Sequence, residues 1–197
     1  GATRTSGPQL TTTERQFVTS GQELDDNITT KAMDLLMSIR PDLDIQPTSL
    51  SSIPSQLYFH RNPTIYIRHF NRQHHFITST SIGGTIRTYD SLNLSLAPEI
   101  YKQMAALYTP DRDEFDRKMR RAQHKSVRFK QSGSADCGVY AIAYAAELVL
   151  GTDPDALYEI NFCQKKMRKH LLETFQNNRM TRFPSNDPAG FSRRGKT

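Results

Sequence analysis

Gln131-Ser-Gly-Ser-Ala-Asp-Cys137-Gly-Val-Tyr-Ala-Ile-Ala-Tyr144 decides the fold, because a polar, glycine-containing turn there runs into an apolar segment with a cysteine at the junction. From Val139 to Leu150 nearly every residue is apolar, with Ala at 141, 143, 145 and 146. The predicted helix is therefore hydrophobic on most sides and belongs in the interior. Gly151 and Pro154 end it. Asp136 is placed to cap the first turn, which sets Cys137 among the unpaired N–H groups and partial positive charge of a helix N-terminus. Such a setting favours a thiolate, and it favours the oxyanion formed when a thiolate attacks a carbonyl. Gln131, upstream across the Gly133 turn, brings a side-chain amide donor toward the same oxygen, and Gly138 leaves room beside the sulfur. A free cysteine is most often a small buried hydrophobe. The catalytic reading therefore requires a base and a carboxylate elsewhere in the chain.

With 197 residues, 36% of them hydrophobic, the chain is long enough for one domain with a real core and too short for two comfortable ones. No apolar run approaches the roughly 20 residues of a membrane span, and the polar opening Gly1 to Gln9 has no signal-peptide core. Two cysteines, 137 and 163, make no disulfide framework. An intracellular protein of the nucleus or cytoplasm, monomeric and without membrane contact, is the expectation. The charge of +6 permits an acidic or nucleic-acid partner without requiring one. The sequence calls for neither a metal nor a cofactor.

Residues 1–12 are small and polar and read as a flexible lead-in, 13–184 as the single domain, and 185–197 as a flexible tail. Thr13-Glu-Arg-Gln16 has capping-box spacing ahead of Phe17. Ile28, Ala32, Leu35, Leu36 and Ile39 form a helical stripe, with Asp25, Asp26 and Asn27 as candidate caps. Asp42 to Ser55 reads as loop and Leu57-Tyr-Phe59 as a short strand. Ile65-Tyr-Ile67, His75 to Thr80 and Thr85 to Asp90 are rich in β-branched and aromatic residues, with turns at Asn71-Arg-Gln73 and Ser81-Ile-Gly-Gly84, so an antiparallel meander is expected.

The second hairpin locates a base. If Ser81 to Gly84 form the loop, His75 lies opposite Asp90; if only Gly83-Gly84 turn, His75 opposes Leu92 and Asp90 is its diagonal neighbour. In both registers His75 and Asp90 share a face, because side chains alternate with period two. Directly opposed Cβ atoms lie about 5 Å apart, within reach of an imidazole–carboxylate hydrogen bond. His74 points to the other face.

Further on, Pro98 suits a helix N1 position ahead of Ile100, Met104, Leu107 and Tyr108. Arg117, Lys118, Arg120, Arg121, His124 and Lys125 form a basic cluster on a helix read mainly as a solvated face. Ser126 to Lys130 reads as a strand leading into Gln131. A closing helix from about Asn161 carries Cys163, Met167 and Leu171 on its core stripe, which makes Cys163 a poor candidate for chemistry.

Three separated pieces now agree: His75, then Asp90 in Tyr-Asp-Ser-Leu, then Gln131 and Cys137 in Gln-Ser-Gly-Ser-Ala-Asp-Cys-Gly. This order and spacing resemble the ubiquitin-like-protein-specific cysteine proteases, the SUMO (sentrin) protease family and its adenovirus-endopeptidase relatives. The likeness runs from about Leu10 to Pro184 and takes in Leu24-Asp-Asp26 and Met-Arg-Lys-His-Leu171. It implies an α+β, papain-like fold with the nucleophile at the N-terminus of a buried central helix, packed on a mixed or antiparallel sheet that carries the histidine and aspartate. By the same resemblance Cys137 is nucleophile, His75 general base and then acid, Asp90 its orienter and Gln131 an oxyanion donor. Cleavage would follow the C-terminal Gly-Gly of ubiquitin or a SUMO-type modifier, which would be the partner, with Glu23, Asp26, Phe76 and Gly138 binding the tail. Members typically carry Trp where this chain has Glu23, roofing the Gly-Gly tunnel, and Trp where it has Phe76; this sequence contains no Trp. Two alternatives follow: an endopeptidase processing a viral or mobile-element polyprotein, with basic surface for nucleic acid, and a catalytically inactive modifier-binding module.

Overall fold

The structure is a computed structural model that describes residues 7–53, 56–70, 75–94, 104, 107–109 and 123–194. The first helix, α1 (Thr12–Thr19), starts at a capping box formed by Thr11 and Glu14 rather than by Thr13 and Gln16. The Thr11 hydroxyl accepts from the Glu14 amide at 3.1 Å and the Glu14 carboxylate from the Thr11 amide at 2.8 Å, because a carboxylate serves this reciprocal bond better than the Gln16 amide would. α2 (Asp26–Met37) is capped by Asp25, whose Oδ1 accepts from the Ile28 amide at 2.9 Å, and it buries Ile28, Ala32, Leu35 and Leu36. Ile39 lies past the helix end and is exposed, since the stripe stops where the helix does.

The sheet has four strands in the order β1 (Asp44–Gln46), β2 (Thr64–Phe70), β3 (His75–Thr80) and β4 (Arg87–Tyr89), with β1 parallel to β2 and the other pairs antiparallel. The meander is correct for β2 to β4. β1 is an addition to the expected 42–55 loop, too short for a period-two signal to emerge among its prolines and serines. Leu57-Tyr-Phe59 forms no strand: its Tyr58 carbonyl is taken by the Gln46 side chain at 2.7 Å. Ser126–Lys130 forms none either, because the Val127 amide goes to Asn93 Oδ1 at 2.8 Å and the Arg128 amide to the Tyr158 carbonyl at 2.9 Å, leaving no ladder to build.

One sheet face meets α3 (Cys137–Val149), every residue of which is buried. Ile65, Ile67, Phe76 and Tyr89 join its core, and the Thr78 hydroxyl donates to the Ala141 carbonyl at 2.8 Å. On the other face Tyr66, Ile77 and Ile86 pack with Met104, Leu107 and Tyr108. α4 (Gln164–Asn177) closes the far side and buries Met167 and Leu171. Cys163 is its N-cap residue, half-buried and outside the stripe, because the helix begins later than the apolar spacing suggests. The Asn71–Gln73 turn, His74, the Pro98 helix start and the basic residues 117–121 lie outside the described residues. Among the described residues no helix is long and apolar enough to cross a membrane.

The stretch from Ser185 to Arg194, compositionally a tail, is pinned to the domain. Ser185 bridges Phe162, Asp187 Oδ1 accepts from the Asn161 amide at 2.8 Å, and the Arg193 carbonyl accepts from the Asp153 amide at 2.8 Å. Glu147, fully buried on α3, supplies the anchor: its Oε2 lies 3.1 Å from Arg193 Nε and 3.2 Å from Arg182 Nε, and it also accepts from Thr152 Oγ1. Removing a carboxylate from such a network leaves its partners unsatisfied. Glu147→Ala is expected to lower the unfolding free energy by about 2 kcal/mol, read from urea melts, whereas an unchanged midpoint would show that this network carries no stability.

Candidate active site

The hairpin register is Thr80 opposite Arg87, Ser79 opposite Thr88 and Thr78 opposite Tyr89. Continued outward it sets His75 against Leu92 and Asp90 on the diagonal, the second of the two registers allowed by the sequence. The turn itself is a 3-10 segment, Ile82–Gly84, rather than a two-residue reversal. His75 Nε2 lies 2.8 Å from Asp90 Oδ1, and both residues are buried. Asp90 is fixed in turn by two backbone amides, Leu92 to Oδ1 at 2.9 Å and Leu94 to Oδ2 at 3.1 Å. With Asp90 on Nε2, the imidazole also hydrogen-bonds the Cys137 side chain. Burial alone would lower the basicity of His75, but the Asp90 carboxylate and the Cys137 sulfur outweigh it and push its pKa up to about 9.

Cys137 is the first residue of α3, where backbone N–H groups lack helical partners. Asp136 precedes it without capping: its side chain makes no hydrogen bond to the helix, and its Oδ1 accepts instead from Arg168 Nε at 2.7 Å and its Oδ2 from Gln164 Nε2 at 2.7 Å. The expected aspartate cap is therefore corrected, because two side chains from α4 draw the carboxylate away. The loop between Gln131 and Asp136 bends at Gly133, whose φ of 70° is left-handed. Gln164 also pins this loop through Ser132, accepting from its amide at 2.8 Å and donating to its carbonyl at 2.9 Å.

Gln131 is buried and oriented at both ends. Its Oε1 accepts from the Ser91 hydroxyl and its Nε2 donates to the Gly133 carbonyl at 3.2 Å, so the amide nitrogen points along the loop that leads to Cys137. One of its two amide hydrogens remains for another acceptor. The Gln131 amide also bonds the Ser91 carbonyl at 3.0 Å, which joins the loop after β4 to the loop before α3. Asn93, at φ 53°, completes this seam through paired bonds with the Val127 backbone. Ser91 was visible in Tyr-Asp-Ser-Leu but had no sequence signal of its own; Gln164 and Arg168 had none either, since their partners lie some thirty residues away.

Gly138 sits under a narrow gap. A Cβ there would lie 3.2 Å from Leu24 Cβ and 3.2 Å from two ring atoms of Phe76. Phe76 is on the strand face opposite to that of His75, and it packs against Gly138 beside Cys137 while Leu24 packs from the other direction. Glu23, half-buried, immediately precedes that wall, and Asp26 lies in the first turn of α2 just after it. The site thus gathers His75, Asp90 and Cys137 in direct contact, Gln131 in the adjoining loop, and Phe76, Gly138 and Leu24 around one gap.

Neither a sequence-family profile nor a curated protein matches this chain by sequence. By structure it is similar to the C-terminal Ulp1 protease domain in complex with Smt3, the yeast ortholog of SUMO, with a TM-score of 0.63 and 15% identity over 86% of this chain and 83% of that one. It is also similar to the SUMO protease Ulp1 with its catalytic cysteine oxidized to a sulfenic acid (TM-score 0.59, 14% identity, 86% and 84% of the two chains). A de-sumoylating protease aligns with a TM-score of 0.55 and 11% identity over 86% of each chain. The chain therefore has the α+β fold of these protease domains, as the resemblance implied.

The gap over Gly138 gives a direct check. Gly138→Ala is expected to cost about 1–3 kcal/mol of stability through overpacking between Leu24 and Phe76. Gly190→Ala, where nothing lies within 4 Å, should stay within about 0.5 kcal/mol. Equal thermal melts for the two variants would contradict the close packing at Gly138.

Proposed function

We propose that the protein is a cysteine protease and isopeptidase that cleaves after the C-terminal Gly-Gly of ubiquitin or a ubiquitin-like modifier, with Cys137, His75, Asp90 and Gln131 as its catalytic residues. The observation that carries the reading is the buried His75 imidazole, with Asp90 at 2.8 Å on one side and Cys137 at the start of α3 on the other. A base held between an orienting carboxylate and a thiol at a helix N-terminus is the arrangement that covalent catalysis requires. The shared fold with SUMO protease domains supports the modifier as substrate.

In this mechanism the Cys137 thiolate attacks the carbonyl carbon of the terminal glycine, and the carbonyl oxygen becomes an oxyanion. Backbone N–H groups at the start of α3 and the Gln131 amide donate to it. The intermediate collapses as His75, protonated, gives its proton to the leaving amine, which departs. His75 then takes a proton from water, the water oxygen attacks the thioester carbon, and the C–S bond breaks to return the Cys137 thiolate beside protonated His75, while the released carboxylic acid gives its proton to solvent. Leu24 and Phe76 pack close upon Gly138 beside Cys137, and a tail ending in Gly-Gly brings no side chains of its own to that crowded wall. Glu23, next in sequence to Leu24, would favour a cationic residue just before Gly-Gly, as ubiquitin offers and SUMO does not.

The test is incubation with ubiquitin, SUMO and NEDD8-type probes that end in an electrophile, with the adduct located by mass spectrometry. An adduct on Cys137 is expected from the intact protein and absent from Cys137→Ala; no adduct with any probe would contradict the reading and favour the polyprotein protease or the inactive binding module. Gln131→Ala should lower kcat by about 10² to 10³, the usual cost of losing one oxyanion donor, and an unaltered kcat would remove Gln131 from the mechanism. Glu23→Ala should lose cleavage of a ubiquitin tail relative to a SUMO tail, and an unchanged ratio would sink the role given to Glu23.

A further inference from the structure

Arg168, on α4, takes no part in the steps above, yet its guanidinium is divided between the loop just before Cys137 and the last turn of α1. Nε donates to Asp136 Oδ1 at 2.7 Å, Nη2 to the Ala135 carbonyl at 3.0 Å, and Nη1 to the Phe17 and Val18 carbonyls at 3.1 and 3.2 Å. The last two carbonyls end α1, from which the chain turns into the Leu24 wall. One planar fork therefore joins the end of α1, the loop before Cys137 and α4, an arrangement that the three donors of a lysine ammonium do not reproduce.

Asp136 explains why such a fork is needed. An aspartate before the first helical residue ordinarily turns its carboxylate onto the first-turn amides. At this position that geometry would fill the donors wanted by an oxyanion and set a negative charge beside the Cys137 sulfur. Asp136 instead adopts φ −103°, ψ 9°, its side chain makes no bond to the α3 amides, and it gives both carboxylate oxygens to α4. We infer that Arg168 is a positioning residue of the site: it holds the Asp136 carboxylate off the N-terminus of α3 and cancels its charge, leaving that terminus to the nucleophile and the oxyanion. This rests on the protease reading of Cys137.

The test needs no modifier. The rate of Cys137 alkylation by iodoacetamide is followed at neutral pH by peptide mass, with Cys163 as the internal control, in the unaltered protein, Arg168→Met, Arg168→Lys and Arg168→Met combined with Asp136→Asn. Arg168→Met should slow Cys137 by about five- to tenfold, because an uncompensated charge then faces the sulfur at short range. Arg168→Lys, which keeps the cation and guards against a loss of fold, should slow it less than Arg168→Met does. Adding Asp136→Asn to Arg168→Met should restore most of the rate, since the offending charge is gone. A purely structural arginine predicts no recovery in the double variant, and that result, or an unchanged rate in Arg168→Met, would overturn the inference. Failure of the protease reading would look different: Cys137 of the unaltered protein no more reactive than Cys163, or reactive Cys137 with no probe captured.

Discussion

Full burial of the helix Cys137–Val149 is the constraint on which the rest of the structure depends. A helix with no polar face cannot rest on a surface, so the sheet, α2 and α4 must enclose it. Enclosure brings its N-terminus, with amides that lack helical partners, against residues from several parts of the chain. Everything that meets at that terminus comes from elsewhere in the chain: His75 and Asp90 from the end of a hairpin, Gln131 from the preceding loop, Leu24 from the link between α1 and α2.

The electrostatics follow from the same enclosure. In water an imidazole beside a carboxylate gains little, whereas in a buried setting the Asp90 and Cys137 partners overcome the cost of desolvation and keep His75 protonated well above its ordinary value of 6.5. Asp90 holds its place because two backbone amides and the imidazole occupy its oxygens. The other acid close to the sulfur, Asp136, would work against the thiolate, and it is turned toward α4. One carboxylate is thus aimed at His75 and the other drawn away from Cys137.

Much of this could be read from the sequence where the signal was periodic. The alanine-rich run after Cys137 predicted a buried helix because burial on all sides leaves a compositional trace. Strand parity placed His75 with Asp90 because alternation survives uncertainty in turn length, and the observed 3-10 turn altered the register without altering the face. β1 escaped because three residues hold no period, and Ser126–Lys130 misled because the Val127 backbone pairs with the Asn93 side chain instead of a ladder. The Asp136 cap failed for a different reason. Local capping preference was sound, but Arg168 and Gln164, distant in sequence, offered the carboxylate stronger partners.

The claim that most of the account rests on is that His75 is a buried imidazolium held by Asp90 and Cys137. Its titration, followed by NMR of the ring in the intact protein and in Asp90→Asn, measures this directly. A folded-state pKa raised above the unfolded value means that the proton stays through neutrality and is lost only as pH rises through about 9. The stabilisation it brings is then complete below 6.5 and fades across that interval. Asp90→Asn should move the transition to lower pH. A ring that titrates at its ordinary value of 6.5 or below in the intact protein, or one indifferent to Asp90→Asn, would contradict the account.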